Sequence, residues 1–538
     1  MISRLYTYCM CAGLFLTTAC TSNFEEWNTN PHQATDDMLD RDNLNVGAFF
    51  VQMQKNVFVI AQEGVIGDDG YQTTQNLTGD IFSGYMGANG YWYSNSHNGT
   101  YNLISAWCDV AYNRAFVGVM TPWKEIKNKA EEKNPMAYAL ATVVKVAAMH
   151  RVTDMYGPLP YLNFGNGALQ NTYDSQKDIY WRFFEELEEA INVLTDYVDK
   201  NPNGVYMSDY DNVYDGNVTK WVKFANTLRL RLAMRIRYVE PEKAKEEAEK
   251  AVNHKIGVMM DKTDTAALQH SKFVFNHPLY IISEQFNETR MGANMDSFLN
   301  GYNDPRIATY FRTSADGKYR GIRTGIYINS KELYGGEEFS RVNFQRETPV
   351  MWMNAAEAYF LRAEGALLGW NMKGDEKSLY EDGIRTSFDY CGVSSSVDTY
   401  LADDKSIPAA YEDVISSSNN IAKGDSKLST ITIAWNDEDS EDLKMERIIT
   451  QKWIAMFPDG QEAWSEFRRT GYPRVFPVVV NNGDDVKSGD YVRRIPFSSE
   501  EYINNKEGVE SAIKLLNGPD RGDTRLWWDV NKIDEVLN

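Results

Sequence analysis

Cysteine and histidine are scarce in this chain, with five and six in 538 residues, and positive charge is in deficit. The histidines are His32, His97, His150, His254, His270 and His277, and no two have the spacing of a metal-ligand pair. Lysine and arginine number 55 against 76 aspartates and glutamates, a net charge of -21. A chain so charged repels polyanions, which excludes nucleic acid and anionic membrane surfaces as natural partners. Equally absent are a Gly-x-Ser-x-Gly elbow, a phosphate-binding Walker loop, a His-Glu-x-x-His helix and a dinucleotide fingerprint. A glycosidase would need two carboxylates flanking a bond, and among 76 acids no motif marks such a pair. Past residue 19 no apolar run approaches the ~20 residues that a membrane-spanning helix requires. What is present is ample for a core: 43% hydrophobic residues and 13% aromatic, with Tyr 32 and Trp 13 beside Phe 24. Rings with one polar tip thus outnumber purely apolar ones, a composition that can hold a polar ligand.

The one long apolar run lies at the start. Arg4 is the only charge before it, and it closes on Leu16-Thr17-Thr18-Ala19-Cys20. Residues 1–19 read as a bacterial secretory signal. Small residues directly before a cysteine resemble a lipoprotein signal, in which Cys20 is lipidated and becomes the first mature residue. The leucine stands one place further from the cysteine than in the commonest form, and an ordinary signal with an incidental Cys20 is the alternative. After cleavage Cys20, Cys108 and Cys391 remain. With Cys20 acylated a single intramolecular pair, Cys108 with Cys391, is possible, so the exported chain must rely on its core.

Helical periodicity recurs along the body. Met136, Leu140, Val143, Val144 and Ala147 predict a helix over 135–152 that stops at Tyr156-Gly157-Pro158. The same spacing predicts helices over 178–198 and 220–237, a short charged helix opened by Pro241, and helices over 351–370, 376–390, 444–457 and 461–469. Alanines at facing positions with an aromatic one turn later resemble tetratricopeptide hairpins, without a regular 34-residue period. Polar, aromatic and glycine-rich stretches at about 64–101, 273–334 and 402–442 interrupt the helices and are too long for simple connectors. The expectation is a mostly α protein with minor β: one domain over 20–538, a helical scaffold carrying elaborated loops.

Several segments match one family in order along the chain. They are Cys20-Thr21-Ser22-Asn23-Phe24-Glu25-Glu26-Trp27-Asn28-Thr29-Asn30-Pro31, Thr153-Asp154-Met155-Tyr156-Gly157-Pro158-Leu159-Pro160-Tyr161 and Tyr214-Asp215-Gly216-Asn217 with the arginine-rich stretch from Trp221 to Arg235. Further on come Ala355-Ala356-Glu357-Ala358-Tyr359-Phe360-Leu361-Arg362-Ala363-Glu364, Lys452 to Phe457 with Arg468-Arg469-Thr470-Gly471-Tyr472-Pro473, Arg493-Arg494-Ile495-Pro496-Phe497 and Thr524-Arg525-Leu526-Trp527-Trp528-Asp529. The sequence resembles SusD/RagB lipoproteins of Bacteroidota over nearly its whole length. That resemblance implies a SusD-like fold of four tetratricopeptide-like helix pairs under a loop-rich ligand face. It also implies a lipid anchor on Cys20 at the outer surface of the outer membrane, a SusC-like TonB-dependent transporter as partner, and capture of a glycan without catalysis. A RagB-like peptide-capturing protein and an outer-membrane glycosidase on the same scaffold are the alternatives.

In such proteins the ligand face comes largely from the region before the first helix pair and from the central insert. Here the first region offers Asp68, Asp69, Tyr71 and then Gly90-Tyr91-Trp92-Tyr93-Ser94-Asn95. Three adjacent aromatics bounded by glycine and asparagine cannot all point into one core face. A sugar presents apolar C–H faces beside hydroxyls, so a ring with nearby Asp or Asn complements both. Trp92 is the expected platform, flanked by Tyr91 or Tyr93, with Asn95 and Asp68 or Asp69 as hydrogen-bonding groups; the alternative makes Trp92 a packing anchor for its own loop. Arg290 and Tyr302 are the candidates from the central insert, whereas Asp304-Pro305-Arg306 reads as a structural turn. Arg229, Arg231, Arg235 and Arg237 are expected to pair with acids on neighbouring helices, and Trp453, Trp464, Trp527 and Trp528 to pack in the core. Asp209, Asp211, Asn212, Asp215 and Gly216 partly match a calcium loop, yet the glycine falls too late and Lys220 stands where the closing glutamate belongs. No cofactor is expected; a structural calcium is left open without support.

Overall fold

Asn134 and Pro135 show how the scaffold begins locally. The Asn134 side chain accepts the Ala137 N–H at 3.2 Å and proline takes the first turn, where its missing N–H costs nothing. The helix they open, Pro135–Tyr156, is buried on every side along most of its length and ends at Gly157, whose φ of 88° stops it. A helix apolar all round belongs in the middle. The computed structural model describes residues 43–62, 70–167, 171–271 and 274–530, so the signal segment, Cys20, Asp68 and Asp69 lie outside the described residues.

Around the central helix stand Gln176–Lys200, packed directly on it, and Val218–Arg235, which packs on Gln176–Lys200 and on Pro241–Asn253. Leu44–Gln54 packs on Thr121–Ala130, and Ala355–Leu367 on Glu376–Tyr390. Each of the periodic segments is a helix, with ends shifted by a few residues. The exception is the start of 351–370: Val350–Met353 is a strand, and the helix begins at Ala355, capped by Asn354. Glu441–Ala455 and Gly460–Thr470 follow each other but pack apart, the first on Ala355–Leu367 and Glu376–Tyr390, the second mainly on Gln72–Asp80.

Strand content is small, 5% against 51% helix, so the mostly α expectation holds. Three antiparallel pairs join distant segments: Ala61–Gln62 with Phe275–Asn276, Met86–Ala88 with Thr289–Met291, and Ala266–Leu268 with Val350–Met353. The second pair ties the first insert to the central one, with Gly87 opposite Arg290.

The largest departure from the sequence reading is at 72–80, expected as loop and observed as a wholly buried π-helical turn, Gln72–Asp80. Several of its polar side chains bond to one another or to buried neighbours. Gln75 and Asn76 donate to the Asp80 carboxyl at 2.9 and 3.2 Å, and Gln75 Oε1 accepts from Arg151 at 2.7 Å. A Cβ on Gly460 would fall 2.3 Å from Asp80 Oδ1, so only glycine lets the two segments meet.

The arginines on Val218–Arg235 turn inward, as charge pairing required. Arg231 binds Glu357 at 2.8 and 2.5 Å; Arg235 binds Asp154, Glu462 and Glu466 at 3.2, 2.5 and 2.7 Å. Arg229 pairs with Glu247 and Glu188, Arg237 with Glu364, and Arg469 joins Glu364 to Glu466. Burial alone would raise the Glu462 carboxyl, but Arg231, Arg235 and Lys452 hold it at about 2. Trp453, Trp464 and Trp528 are buried and Trp527 packs partly against the core. Asp211 is fully buried and accepts from the backbone of Val213, Tyr214 and Gly216 and from Trp221, which uses it as a turn anchor. Cys108 and Cys391 are separate free thiols.

Candidate functional site

Residues Tyr93, Ser94 and Asn95 form a left-handed turn, with φ of 50°, 57° and 66° in succession. Non-glycine residues rarely take this conformation, at a cost of roughly 1–2 kcal/mol each, so three in a row persist only where surrounding bonds impose them. Those bonds converge on Asn95. Its Nδ2 donates to the Ile328 carbonyl and its Oδ1 accepts the Ile328 N–H, both at 2.9 Å. Its own carbonyl accepts from Thr100 Oγ1 at 2.6 Å and Asn482 Nδ2 at 2.7 Å. Three remote segments, 90–97, 325–328 and 478–482, are fastened at this one residue. The last two also meet directly, where the N–H groups of Val479 and Val480 donate to Gly325 O.

The turn lifts aromatics to the surface. Tyr91 is 55% exposed and Tyr93 61%, while Trp92 is half-buried. The Trp92 ring stands edge-on to His97 at 5.4 Å and to Trp107 at 5.8 Å, and Tyr93 meets Trp107 at 5.9 Å. Close approach to the backbone explains Gly90: a Cβ there would lie 2.5 Å from the Trp92 ring. His97 beneath is buried, and its Nδ1 accepts the Gly99 N–H at 3.1 Å. Burial pushes its imidazole down to about 4, so the cluster is uncharged near neutral pH. Trp92 therefore packs against His97 and Trp107 while its ring stays half-exposed.

Other expected site residues are elsewhere. Asn95 is only 2% exposed and serves as the clamp, not as a ligand contact. Tyr71 is 4% exposed and packs in the core next to the π-helical turn. Arg290, fully buried, donates to the carbonyls of Thr289 and Gly335 and to Asn287 Oδ1. Tyr302 is 2% exposed and donates to Ile431 O at 2.9 Å. Asn95, Arg290 and Tyr302 spend their polar groups on internal partners, which lets them be buried. Arg306 and Asp304 form the expected structural pair, fully buried, at 2.6 Å.

Sequence reading missed Trp107 and Tyr327. Trp107 is half-buried at the start of the Ser105–Ala115 helix, outside the aromatic run, and only the fold brings it to Trp92. Tyr327 is 59% exposed and precedes Ile328, the residue clamped by Asn95. An aromatic beside two buried isoleucines in an alternating stretch is the one signal that could have found it. Among the described residues no group of histidine, cysteine and carboxylate side chains could hold a metal, and no helix is long and apolar enough to cross a membrane.

A family model described as SusD-like, SusD and RagB outer membrane lipoprotein, matches residues 26–529. Among solved structures, a chitin-binding SusD homologue from Flavobacterium johnsoniae is 42% identical, covering 90% of this chain and 99% of its own, with a TM-score of 0.85. A SusD homologue from Bacteroides uniformis is 40% identical with a TM-score of 0.83, and a SusD-like protein from Bacteroides thetaiotaomicron 35% identical with 0.84. Each of these two also covers 90% of this chain and 99% of its own. No curated protein matches the chain.

Proposed function

The chain belongs to the SusD/RagB family of outer membrane lipoproteins, and from that premise we propose that it captures a glycan on the aromatic face around Trp92. It then delivers the glycan to a SusC-like TonB-dependent transporter and performs no catalysis itself. Cys20 carries the lipid that holds it at the outer surface of the outer membrane. The observation that carries the reading is the exposure of Tyr91 and Tyr93, beside half-buried Trp92 and the helical Trp107, at a turn that Asn95 clamps from within. Rings held in advance lose little conformational freedom on binding, and an uncharged aromatic face suits the C–H faces of neutral sugars. The chitin-binding relative makes oligomers of N-acetylglucosamine the first ligands to try.

Calorimetry of the mature protein lacking Cys20 against chitin oligomers, plant and host glycans and mixed peptides tests this. Loss of one platform ring, by Trp92→Ala or Trp107→Ala, is expected to cost about 2 kcal/mol, roughly thirtyfold in Kd. Tyr91→Ala and Tyr93→Ala, which remove exposed rings without touching the core, guard against a folding artefact. Glycan binding that ignores all four variants would move the site elsewhere. Heat from peptides alone would replace glycan capture with peptide capture, and product release from a glycan would establish a glycosidase.

A further inference from the structure

In this molecule most arginines are hydrogen-bonded to carboxylates or carbonyls, and Arg474, held only by one long ion pair, differs from them. Arg474 donates no hydrogen bond among the described residues; its buried Nε makes a long ion pair with Glu446 Oε1 at 3.6 Å. Glu446 is itself engaged by Ser429 Oγ at 2.5 Å. Arg474 lines a surface groove of about 590 Å³ between Gly301 and the 402–430 insert. Lys423, exposed and without an ion pair among the described residues, lines the same groove. Asp425, the acid on its rim, is already matched by Lys427 at 3.2 Å and accepts the Lys427 N–H. Among the residues that line the groove two cations, Lys423 and Arg474, thus stand against one acid, in a chain whose total is -21.

The rest of the lining is mixed. Ile407, Pro408 and Leu428 form an apolar wall, and Ser426 and Thr430 add hydroxyls. The volume falls within the roughly 300–1,000 Å³ of small-molecule sites. The insert that builds the groove is anchored: Ala409 N–H donates to Ser297 O at 2.8 Å, and Ser297 Oγ donates back to Ala409 O at 2.6 Å. With Nε turned to Glu446, the remaining N–H groups of Arg474 make no hydrogen bond among the described residues, and two such donors can grip a carboxylate with parallel bonds. A sugar ring supplies both an apolar face for the wall and hydroxyls for the serine and threonine.

We propose that this groove is a second saccharide site, distinct from the aromatic face, which binds a carboxylate-bearing sugar of the hexuronic acid class through Arg474 and Lys423. Nothing about the neutral-glycan reading is needed for it, and the two can fail separately.

The test is calorimetry with trigalacturonic acid, its methyl ester and an N-acetylated acidic dipeptide, on the parent protein, Arg474→Gln and Lys423→Gln. Arg474→Gln also removes the ion pair to Glu446, so circular dichroism and Tm are measured alongside, and Lys423→Gln, which breaks no pair among the described residues, tests the groove without that loss. The acid is expected to bind and the ester not. Arg474→Gln should weaken the acid roughly ten- to hundredfold, the worth of a charged hydrogen bond, and Lys423→Gln severalfold. Equal binding of acid and ester, no heat from the acid, or an Arg474→Gln variant of unchanged affinity would overturn the proposal. Arg474-dependent binding of the dipeptide without the uronate would overturn the sugar assignment.

Discussion

Asn95 is the residue whose loss should disconnect the aromatic face from the scaffold. Its amide holds the Ile328 N–H and carbonyl at 2.9 Å each, and Ile328 is 2% exposed, so water cannot readily take over. Removing the amide leaves two buried backbone groups unpaired at about 1–3 kcal/mol apiece. Asn95→Gly bears that loss alone, about 2–6 kcal/mol, because glycine tolerates the left-handed φ of 66°. Asn95→Ala adds roughly 1 kcal/mol of backbone strain. The helices lie outside the clamp, so the cost should appear as local opening, not as collapse of the whole fold. Hydrogen exchange read by mass spectrometry should show at least about tenfold faster exchange across 91–97 and 325–328 in Asn95→Gly, faster still in Asn95→Ala, and parent rates in 135–156. Glycan affinity should fall in the same order, since only the closed loop binds. Unchanged exchange and affinity in both variants would refute the clamp. Alanine outperforming glycine would show that the turn is not strained at this residue.

Arg235→Met should destabilise the fold by about 3–5 kcal/mol in urea titrations, because Asp154, Glu462 and Glu466 would be left buried around an uncharged side chain. Glu462 is held at about 2, below its ordinary 4.5, so its contribution is present above pH 4.5 and is lost as the pH falls toward 2. The gap between parent and Arg235→Met should therefore narrow below about pH 4.5; a gap that stays constant would contradict the pairing. Asp80 runs the other way: burial pushes its carboxyl up from 3.8 to about 8, against the hydrogen bonds from Asn76 and Gln75. A raised acid stabilises fully below pH 3.8 and loses that contribution as the pH rises through 8. Asp80→Asn should thus gain in Tm relative to the parent between pH 5 and pH 8, and a pH-independent difference would rule out a neutral Asp80.

Helices were legible where their apolar positions repeat over four or more turns. Gln176–Lys200 buries Ile179, Phe183, Leu187, Ala190, Ile191 and Leu194 along one stripe, and that stripe is visible in the letters. Gln72–Asp80 was not legible, because a buried segment of glutamine, threonine and asparagine has no apolar period; its burial depends on Arg151 and Gly460, each far away in sequence. The same blindness governs the site. Exposed Tyr91 and Tyr93 could be found, since adjacent rings cannot share one core face. Whether Arg290 or Tyr302 is free depends on the carbonyls of Gly335 and Ile431, and no local pattern announces those partners. Trp107 is the complementary case, an ordinary helical tryptophan that joins the site only through tertiary packing.

The distribution of cations separates the two proposed binding faces physically. Arg231, Arg235, Arg306, Arg468, Arg469, Arg493 and Arg494 are buried with partners inside the scaffold, which leaves an acidic exterior with few free guanidinium groups. The aromatic face contributes no charged side chain of its own, as Tyr91, Trp92, Tyr93 and Trp107 are neutral and His97 stays deprotonated well below neutral pH. Binding there rests on dispersion and desolvation, which salt hardly touches, whereas attraction of a carboxylate to Lys423 and Arg474 acts across solvent and is screened. Raising NaCl from about 0.05 to about 0.5 M shortens the screening length roughly threefold, so trigalacturonic acid should weaken severalfold while a chitin oligomer stays within about twofold. Equal salt dependence of the two ligands would mean that both sense the same charges, and the division into a neutral face and a cationic groove would fail.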